Sequence, residues 1–191
     1  MQEIEIKLQV PKVAALRRRL PRLGFRPLGH RLLERNLVFD TPAGSLRNAQ
    51  RLLRLRSKGG RWWLTFKSRP EIRSRHKVRE EIEMEIPAGE PLVDILGRLG
   101  FQVTFEYQKY RSEFQQPGGR GKLLLDETPI GNFMELEGPP RWIDRMAADL
   151  GYGSLDYILE SYSVLYLNWC RDHGIPPGNM VFARPRGIAN S

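Results

Sequence analysis

Two stretches of the sequence follow one plan, and this repeat limits the possible folds more than any other feature. QEIEIKLQVPKVAALRRRLPRLGF begins at Gln2, and EEIEMEIPAGEPLVDILGRLGF begins at Glu80. Each contains a Glu-Ile-Glu strand, a proline-marked break, an amphipathic helix and a closing Leu-Gly-Phe. Three further strand-like segments follow each stretch. The repeat predicts two β-α-β-β-β halves, whose eight mostly antiparallel strands could close into one barrel with helices outside it, an α+β fold.

The C-terminal part has a helical pattern. PPRWIDRMAADLG and the longer SLDYILESYSVLYLNWCRDHG both place apolar residues on one side. The second segment could pack on the barrel or form a homodimer interface. The polar segment RPEIRSRHK is predicted to be a loop. We expect a single domain over residues 1–168 and a C-terminal tail over residues 169–191.

Composition limits the class of protein and of partner. The chain has 191 residues, 40% of them hydrophobic, which suffices for one sizeable domain or two small ones. A net charge of +9 indicates an anionic partner such as nucleic acid, nucleotide, polyphosphate or a membrane surface. A single cysteine, Cys170, excludes an internal disulfide and a cysteine-based zinc site. Without a signal-like or membrane-spanning apolar stretch, we expect a cytoplasmic protein that does not enter a membrane.

The charged residues of the predicted strands fall on one face of each strand, because residues i and i+2 point the same way. An ordinary antiparallel sheet with one solvated face would also show this alternation. Here, however, Thr, Ser and Gln are scarce on these faces, and the opposite faces are rich in apolar residues. Glutamates gather on the first strand, on the strand that opens the second half and on the last strand, whereas Arg and Lys gather on the strands between.

This sorting favours a barrel with a charged interior and an apolar core outside it. Such a lumen is costly unless its charges are satisfied. Clustered carboxylates suit hard divalent cations such as Mg²⁺ or Mn²⁺, and guanidinium and ammonium groups suit phosphate oxygens. A metal-bound triphosphate would satisfy both groups of charges at once.

The same residues resemble the CYTH domain family, the triphosphate tunnel metalloenzymes. The stretch EIEIK matches the family's Glu-x-Glu-x-Lys signature, and the family's later motifs follow in order over about residues 1 to 168. They are an Arg-x-Arg pair, a strand lysine, a second Glu-x-Glu strand, a basic-x-Arg pair and the late acidic strands, which appear here as Arg54, Arg56, Lys67, Glu81, Glu83, Lys109, Arg111, Asp126, Glu135 and Glu137.

The resemblance implies an eight-stranded antiparallel tunnel that requires Mg²⁺ or Mn²⁺ and acts on a triphosphate-containing small molecule. Metal ligands carried over from the family are Glu3, Glu5, Asp126, Glu135 and Glu137. Residues expected to bind the triphosphate are Lys7, Arg54, Arg56, Lys67, Arg79, Lys109 and Arg111. Glu81 and Glu83, which would complete the metal sites or orient water, are expected to be catalytic together with Lys7.

The reaction stays open between hydrolysis and cyclisation. Hydrolysis of tripolyphosphate, a nucleoside triphosphate or thiamine triphosphate is the favoured interpretation, because the His-Phe pair that precedes the signature in enterobacterial class IV adenylyl cyclases is absent. A class IV adenylyl cyclase that forms cyclic AMP and pyrophosphate is the first alternative. A non-catalytic module for polyphosphate or an RNA 5′ end is the second, with nucleic acid contacted only through a 5′-triphosphate. The three histidines share no metal-ligand spacing and are interpreted as surface residues.

Overall fold

A computed structural model describes residues 2–73 and 75–183 of the chain. The described residues form ten strands and five α-helices, with short 3-10 turns at Leu20–Leu23 and Ser154–Asp156. The strands are β1 Gln2–Gln9, β2 Arg26–Pro27, β3 Leu32–Asp40, β4 Leu52–Lys58, β5 Arg61–Lys67, β6 Glu71–Arg73, β7 His76–Ile86, β8 Gln102–Gln115, β9 Lys122–Thr128 and β10 Gly131–Glu137. The helices are α1 Val13–Arg19, α2 Ser45–Asn48, α3 Glu90–Arg98, α4 Pro140–Asp149 and α5 Tyr162–Asp172.

Eight of the strands close into an antiparallel barrel. Their order around the ring is β1-β10-β9-β8-β3-β4-β5-β7, and pairing of β7 with β1 completes it. The short strands β2 and β6 pair with β8 and β7 respectively, outside this ring. The predicted eight-stranded α+β barrel is therefore confirmed. The two Glu-Ile-Glu strands become neighbours, and β3 lies across the ring from β1.

The main apolar core lies outside the barrel, under the helices. Ile6 of β1 and Leu136 of β10 are 1% and 0% exposed, and they pack with α1 and α4 in one cluster. Two smaller clusters form under α5 and under α3. Full burial of each such side chain stabilises the fold by about 1.5–3 kcal/mol. Because the apolar faces point outward to the helices, the alternating charged residues point inward.

The C-terminal helix is shorter than the sequence pattern predicts. It begins at Tyr162, not near Ser154, because the chain before it runs extended beside β1. The Lys7 amide donates to the Ile158 carbonyl at 3.1 Å, and the Ile158 amide donates to the Lys7 carbonyl at 2.8 Å. These bonds use backbone groups that a helix would need for itself. The prediction of one long helix is wrong over this stretch.

The segment RPEIRSRHK, predicted to be a loop, also differs from the sequence prediction. It contains β6, and His76 is not a surface residue: it is 5% exposed and its Nε2 lies 2.9 Å from Asp144 Oδ1.

The predicted domain end at residue 168 falls within α5. Beyond α5, the Met180 amide donates to the Glu106 carbonyl of β8 at 3.0 Å. Residues 184–191 of the predicted tail lie outside the described residues, so the division into domain and tail stays a prediction.

Among the helices described, none combines the length and the apolarity that crossing a lipid bilayer would require.

Candidate active site in the barrel lumen

The charged strand faces surround one cavity of about 690 Å³ inside the barrel. All of the predicted site residues except Asp126 line it, so strand alternation placed them on the correct face. Two regions of its wall differ in charge. We call β1 and β10, with their four glutamates, the acidic wall, and we call the inner faces of β3, β4 and β8 the basic wall. The acidic wall carries Glu3, Glu5, Glu135 and Glu137; the basic wall carries Arg54, Arg56, Lys58, Lys109 and Arg111.

On the acidic wall, three carboxylates are paired with lysines. Lys67 Nζ donates to Glu3 Oε2 at 2.6 Å, and Lys77 Nζ donates to Glu5 Oε1 at 2.6 Å. Lys7 Nζ lies 3.2 Å from Glu135 Oε1, the residue opposite it on β10. Each pair joins a carboxylate to one flexible ammonium group, a contact that can exchange when another cation or anion enters.

The glutamates of the acidic wall also repel one another. Burial, together with the charge of Glu5, raises the pKa of Glu3 to about 7. Burial raises the pKa of Glu137 as well, and Glu135 and Glu5 add to this effect. For Glu5 itself burial opposes ionisation, but the nearby lysines, Lys77 foremost, outweigh it and hold the pKa at about 2. Burial and mutual repulsion therefore disfavour the charged forms of Glu3 and Glu137, whereas neighbouring cations hold the pKa values of Glu5 and Glu135 below their usual range.

On the basic wall, Arg54 and Arg56 come from β4 and both contact acids of β7. Arg56 Nη2 donates to Glu83 Oε2 at 2.8 Å, and Arg54 Nη2 lies 3.6 Å from the same oxygen. Glu81 lies deeper and contacts Lys67 Nζ at 3.1 Å. Arg79, on the same strand, lines the cavity, and burial lowers its pKa. Both predicted catalytic glutamates therefore lie beside the cations predicted to bind phosphate.

Asp126 stands behind the lumen surface and not on it. It is 0% exposed and accepts hydrogen bonds from Lys109 Nζ at 2.9 Å, from Arg111 Nε at 2.7 Å and from the Tyr162 hydroxyl at 2.7 Å. Arg111 also bonds Glu135, which links Asp126 to the acidic wall. In this arrangement Asp126 orients two basic side chains of the lumen.

Several lumen residues were not among the predicted site residues. Tyr162 of α5 reaches into the barrel, and its ring lies 4.6 Å from Lys7 Nζ and 4.9 Å from Lys109 Nζ. Glu34, 0% exposed on β3, has its pKa held at about 2 although burial opposes its ionisation, because Arg111, Lys109 and other cations surround it. The alternation in RLLERNLVFD could have placed Glu34 inside. Glu34 stands just behind the cavity lining; besides Tyr162, the polar and aromatic lining residues that were missed are Lys58, Trp63, Lys77, Tyr107, Glu113, Lys122 and Ser161.

The donor set of the acidic wall suits Mg²⁺ or Mn²⁺, since it consists of carboxylate oxygens, the ligands that hard divalent cations prefer. Among the described residues, however, no group of three His, Cys, Asp or Glu side chains converges closely enough to hold a metal ion. In this structure, lysine ammonium groups are the cations that lie beside Glu3, Glu5 and Glu135. A divalent ion would therefore replace lysine contacts, with the carboxylates turning toward it.

Comparison with known proteins agrees with this architecture. A protein from Methanocaldococcus jannaschii, provisionally named as an adenylate cyclase, is 29% identical over 137 residues, which are 72% of this chain and 77% of that protein. A solved structure from Vibrio parahaemolyticus, also provisionally named as an adenylate cyclase, is 21% identical with a TM-score of 0.75, covering 85% of this chain and 96% of that chain.

A solved structure from Hippeastrum, named as an adenylyl cyclase and described as having a dominant triphosphatase activity, is 22% identical with a TM-score of 0.60, covering 92% of this chain and 97% of that chain. These two structural likenesses concern the fold. The model of the CYTH domain matches residues 1–162, which include every strand of the barrel. The chain belongs to the CYTH domain family.

Proposed function

We propose that this protein is a divalent-metal-dependent phosphohydrolase that holds a triphosphate in the barrel lumen and releases phosphate from it. The observation that carries the proposal is the opposition of an acidic and a basic wall across one enclosed cavity. A metal-bound triphosphate presents metal to carboxylates and oxygens to guanidinium and ammonium groups. A simple anion that drew Lys7 and Lys67 away would leave Glu135 and Glu3 without their lysine partners, whereas a metal-bound triphosphate supplies a cation to replace them.

The basic residues would hold the phosphate chain. Arg54, Arg56 and Arg111 offer guanidinium forks, which fit phosphate oxygens in pairs, and Lys109 adds a point charge. Lys7, Lys67 and Arg79 extend this cradle toward the acidic wall. Since Arg56 is held by Glu83 in a contact open to exchange, it can turn to a phosphate oxygen without leaving a buried charge behind.

Glu3, Glu5, Glu135 and Glu137 would hold the divalent ion; Asp126, predicted as a further ligand, lies behind the lumen surface and holds Lys109 and Arg111 instead. When bound, the ion supplies charge neutralisation at the phosphate oxygens and lowers the pKa of a water ligand. The lysines now paired with these glutamates would then be released toward phosphate. Lys7 is placed for this exchange, because it lies between Glu135 and the Tyr162 ring.

Glu81 and Glu83 are the proposed catalytic carboxylates. Phosphoryl transfer depends mainly on positioning and charge neutralisation, with a water in line with the leaving oxygen. A carboxylate beside the phosphate cradle can orient that water and accept its proton. The charge that develops on the leaving phosphate would be stabilised by Lys7 and the guanidinium groups.

Cyclisation of ATP is the second candidate, favoured by the provisional names of the relatives from Methanocaldococcus and Vibrio. The Hippeastrum relative carries a similar name, yet its described dominant activity is triphosphatase. The same cradle serves either reaction, and hydrolysis needs no additional base-binding site. We propose hydrolysis for this chain, in the cytoplasm, with non-catalytic binding of polyphosphate or an RNA 5′ end as the remaining alternative.

A product screen separates these functions. The purified protein is incubated with Mg²⁺ or Mn²⁺ and with tripolyphosphate, ATP, thiamine triphosphate or 5′-triphosphate RNA, and the products are resolved by anion-exchange chromatography. We expect orthophosphate from at least one substrate. Cyclic AMP with pyrophosphate would establish the cyclase instead. Tight binding with neither product would establish the binding module.

A further inference from the structure

One carboxylate of the basic wall has an unusual environment. Glu34 projects from β3, across the ring from β1, and is completely buried. Within the described part of the chain, neither of its carboxylate oxygens has a hydrogen-bond partner. Its nearest charged atoms are Lys58 Nζ and Lys109 Nζ, each at 3.8 Å, and Arg56 Nη1 at 4.0 Å. A buried anion is thus surrounded by cations without being hydrogen-bonded to any of them.

The neighbouring cations are oriented by other partners. Lys58 contacts Glu113, Lys109 donates to Asp126 at 2.9 Å, and Arg56 donates to Glu83. Glu34 is therefore not needed to aim these side chains into the lumen. Instead, Glu34 supplies one negative charge among several cations, which repel one another because the site is shielded from water.

Glu34 is also excluded from direct contact with a ligand. It does not line the cavity, and Arg56 and Lys109, which do line it, flank its carboxylate. Its effect on a bound anion must therefore act through space. One unit charge several ångströms from a polyanion, at an effective dielectric constant of about 20, changes affinity by roughly tenfold or more.

We propose that Glu34 is an internal counter-anion of the basic wall, which stabilises the wall when it is empty and weakens its hold on a bound polyphosphate. This inference rests on the proposed function, because it requires that the wall binds phosphate. It assigns Glu34 the role of setting affinity for substrate and product together. A wall without this charge would bind polyphosphate more tightly and release product more slowly.

The test compares the wild type with Glu34→Gln, which keeps the shape of the side chain and removes its charge. The matched control is Glu106→Gln, whose carboxylate bonds the exposed Arg35 on the outer face of the barrel. Thermal unfolding and calorimetric titration with tripolyphosphate are measured in EDTA, so that the proposed metal-dependent turnover does not consume the ligand.

We expect Glu34→Gln to unfold at a lower temperature without ligand, to bind tripolyphosphate roughly tenfold more tightly, and to gain more thermal stability from it than the wild type gains. Glu106→Gln should bind like the wild type. If the wild type binds and Glu34→Gln binds equally or more weakly, the counter-anion role is wrong while phosphate binding stands. If the wild type does not bind metal-free tripolyphosphate, the counter-anion role is wrong, whereas the metal-dependent phosphohydrolase is decided separately by the product screen with Mg²⁺ or Mn²⁺.

A second variant covers the case in which Glu34→Gln does not fold. Removing one of the opposing charges in the double variant Glu34→Gln/Lys58→Gln should restore folding and return the affinity for tripolyphosphate close to that of the wild type. An unfolded double variant would show that Glu34 acts through something other than its charge, and would overturn the proposal.

Discussion

The two Glu-Ile-Glu strands share a motif and lie side by side, but the barrel gives them different environments. In β1, Glu3 and Glu5 line the cavity with side chains 10% and 13% exposed, and Ile6 is 1% exposed beneath the helices. In β7, the corresponding outward residues Ile82 and Met84 are 59% and 57% exposed. The register explains this difference: β1 pairs only as far as Glu80, so the motif of β7 extends beyond the end of β1. Position in the closed ring, not the motif itself, determines which glutamates are enclosed.

The largest effect should come from the enclosed motif. Glu5→Gln removes a carboxylate proposed to hold metal, and we expect kcat for phosphate release to fall by about 100-fold or more. Phosphate release and thermal unfolding of the variant are measured together, because the change also leaves Lys77 without its acidic partner. A folded variant with near-normal turnover would show that Glu5 does not hold the metal. The proposed functional difference between the two strands would then be wrong.

The second-largest effect should come from Arg56, the arginine that contacts Glu83 of the second motif. Arg56→Ala should weaken tripolyphosphate binding by roughly 10- to 100-fold, the expected cost of losing charge-assisted hydrogen bonds. Arg61→Ala is the matched control, since both guanidinium groups lie over the Trp63 ring while Arg61 is exposed at the barrel end. Equal affinities for the two variants, measured by calorimetry, would exclude Arg56 from the cradle.

A smaller loss of activity is expected from a change at Tyr162, the residue of α5 that lies beside Lys7. Tyr162→Phe keeps the ring beside Lys7 but removes the hydroxyl that donates to Asp126. We expect kcat/KM to fall by about tenfold or less, the range for one hydrogen bond to a charged group. Tyr166→Phe serves as the control, because its hydroxyl bonds the Asn179 carbonyl away from the lumen. Identical loss in both variants would indicate a general effect on α5.

The smallest effect should come from the solvent-exposed end of β7, just beyond the second motif. Glu85 pairs with Arg61, and both side chains are well exposed. Because Glu85 does not line the cavity and its ion pair is open to solvent, Glu85→Gln should change kcat/KM by less than about twofold. A loss comparable to that of Glu5→Gln would show that the solvent-exposed end of β7 takes part in the reaction, against the comparison drawn from the register.

The internal repeat indicated about eight strands that could close, strand alternation favoured charged faces turned inward, and the resemblance to the CYTH family implied the closed tunnel. These sequence patterns could not predict which side chains from distant parts of the chain contact one another. Glu34 was missed because its role depends on cations from other strands, which β4 and β8 bring around it only in the folded barrel. The extended chain before α5 was predicted as helix, since its apolar spacing suits a helix and its bonds to Lys7 depend on β1. His76 was placed on the surface because Asp144, its partner, is 68 residues away in sequence.

The central claim is that the acidic wall holds metal while the basic wall holds triphosphate. It is tested most directly by anomalous diffraction from crystals soaked with Mn²⁺ and tripolyphosphate. We predict a manganese peak at about 2.0–2.2 Å from carboxylate oxygens of Glu3, Glu5, Glu135 or Glu137, with phosphate density against Arg54, Arg56 and Arg111. A manganese ion outside the lumen, or phosphate density with no metal at the acidic wall, would contradict the claim.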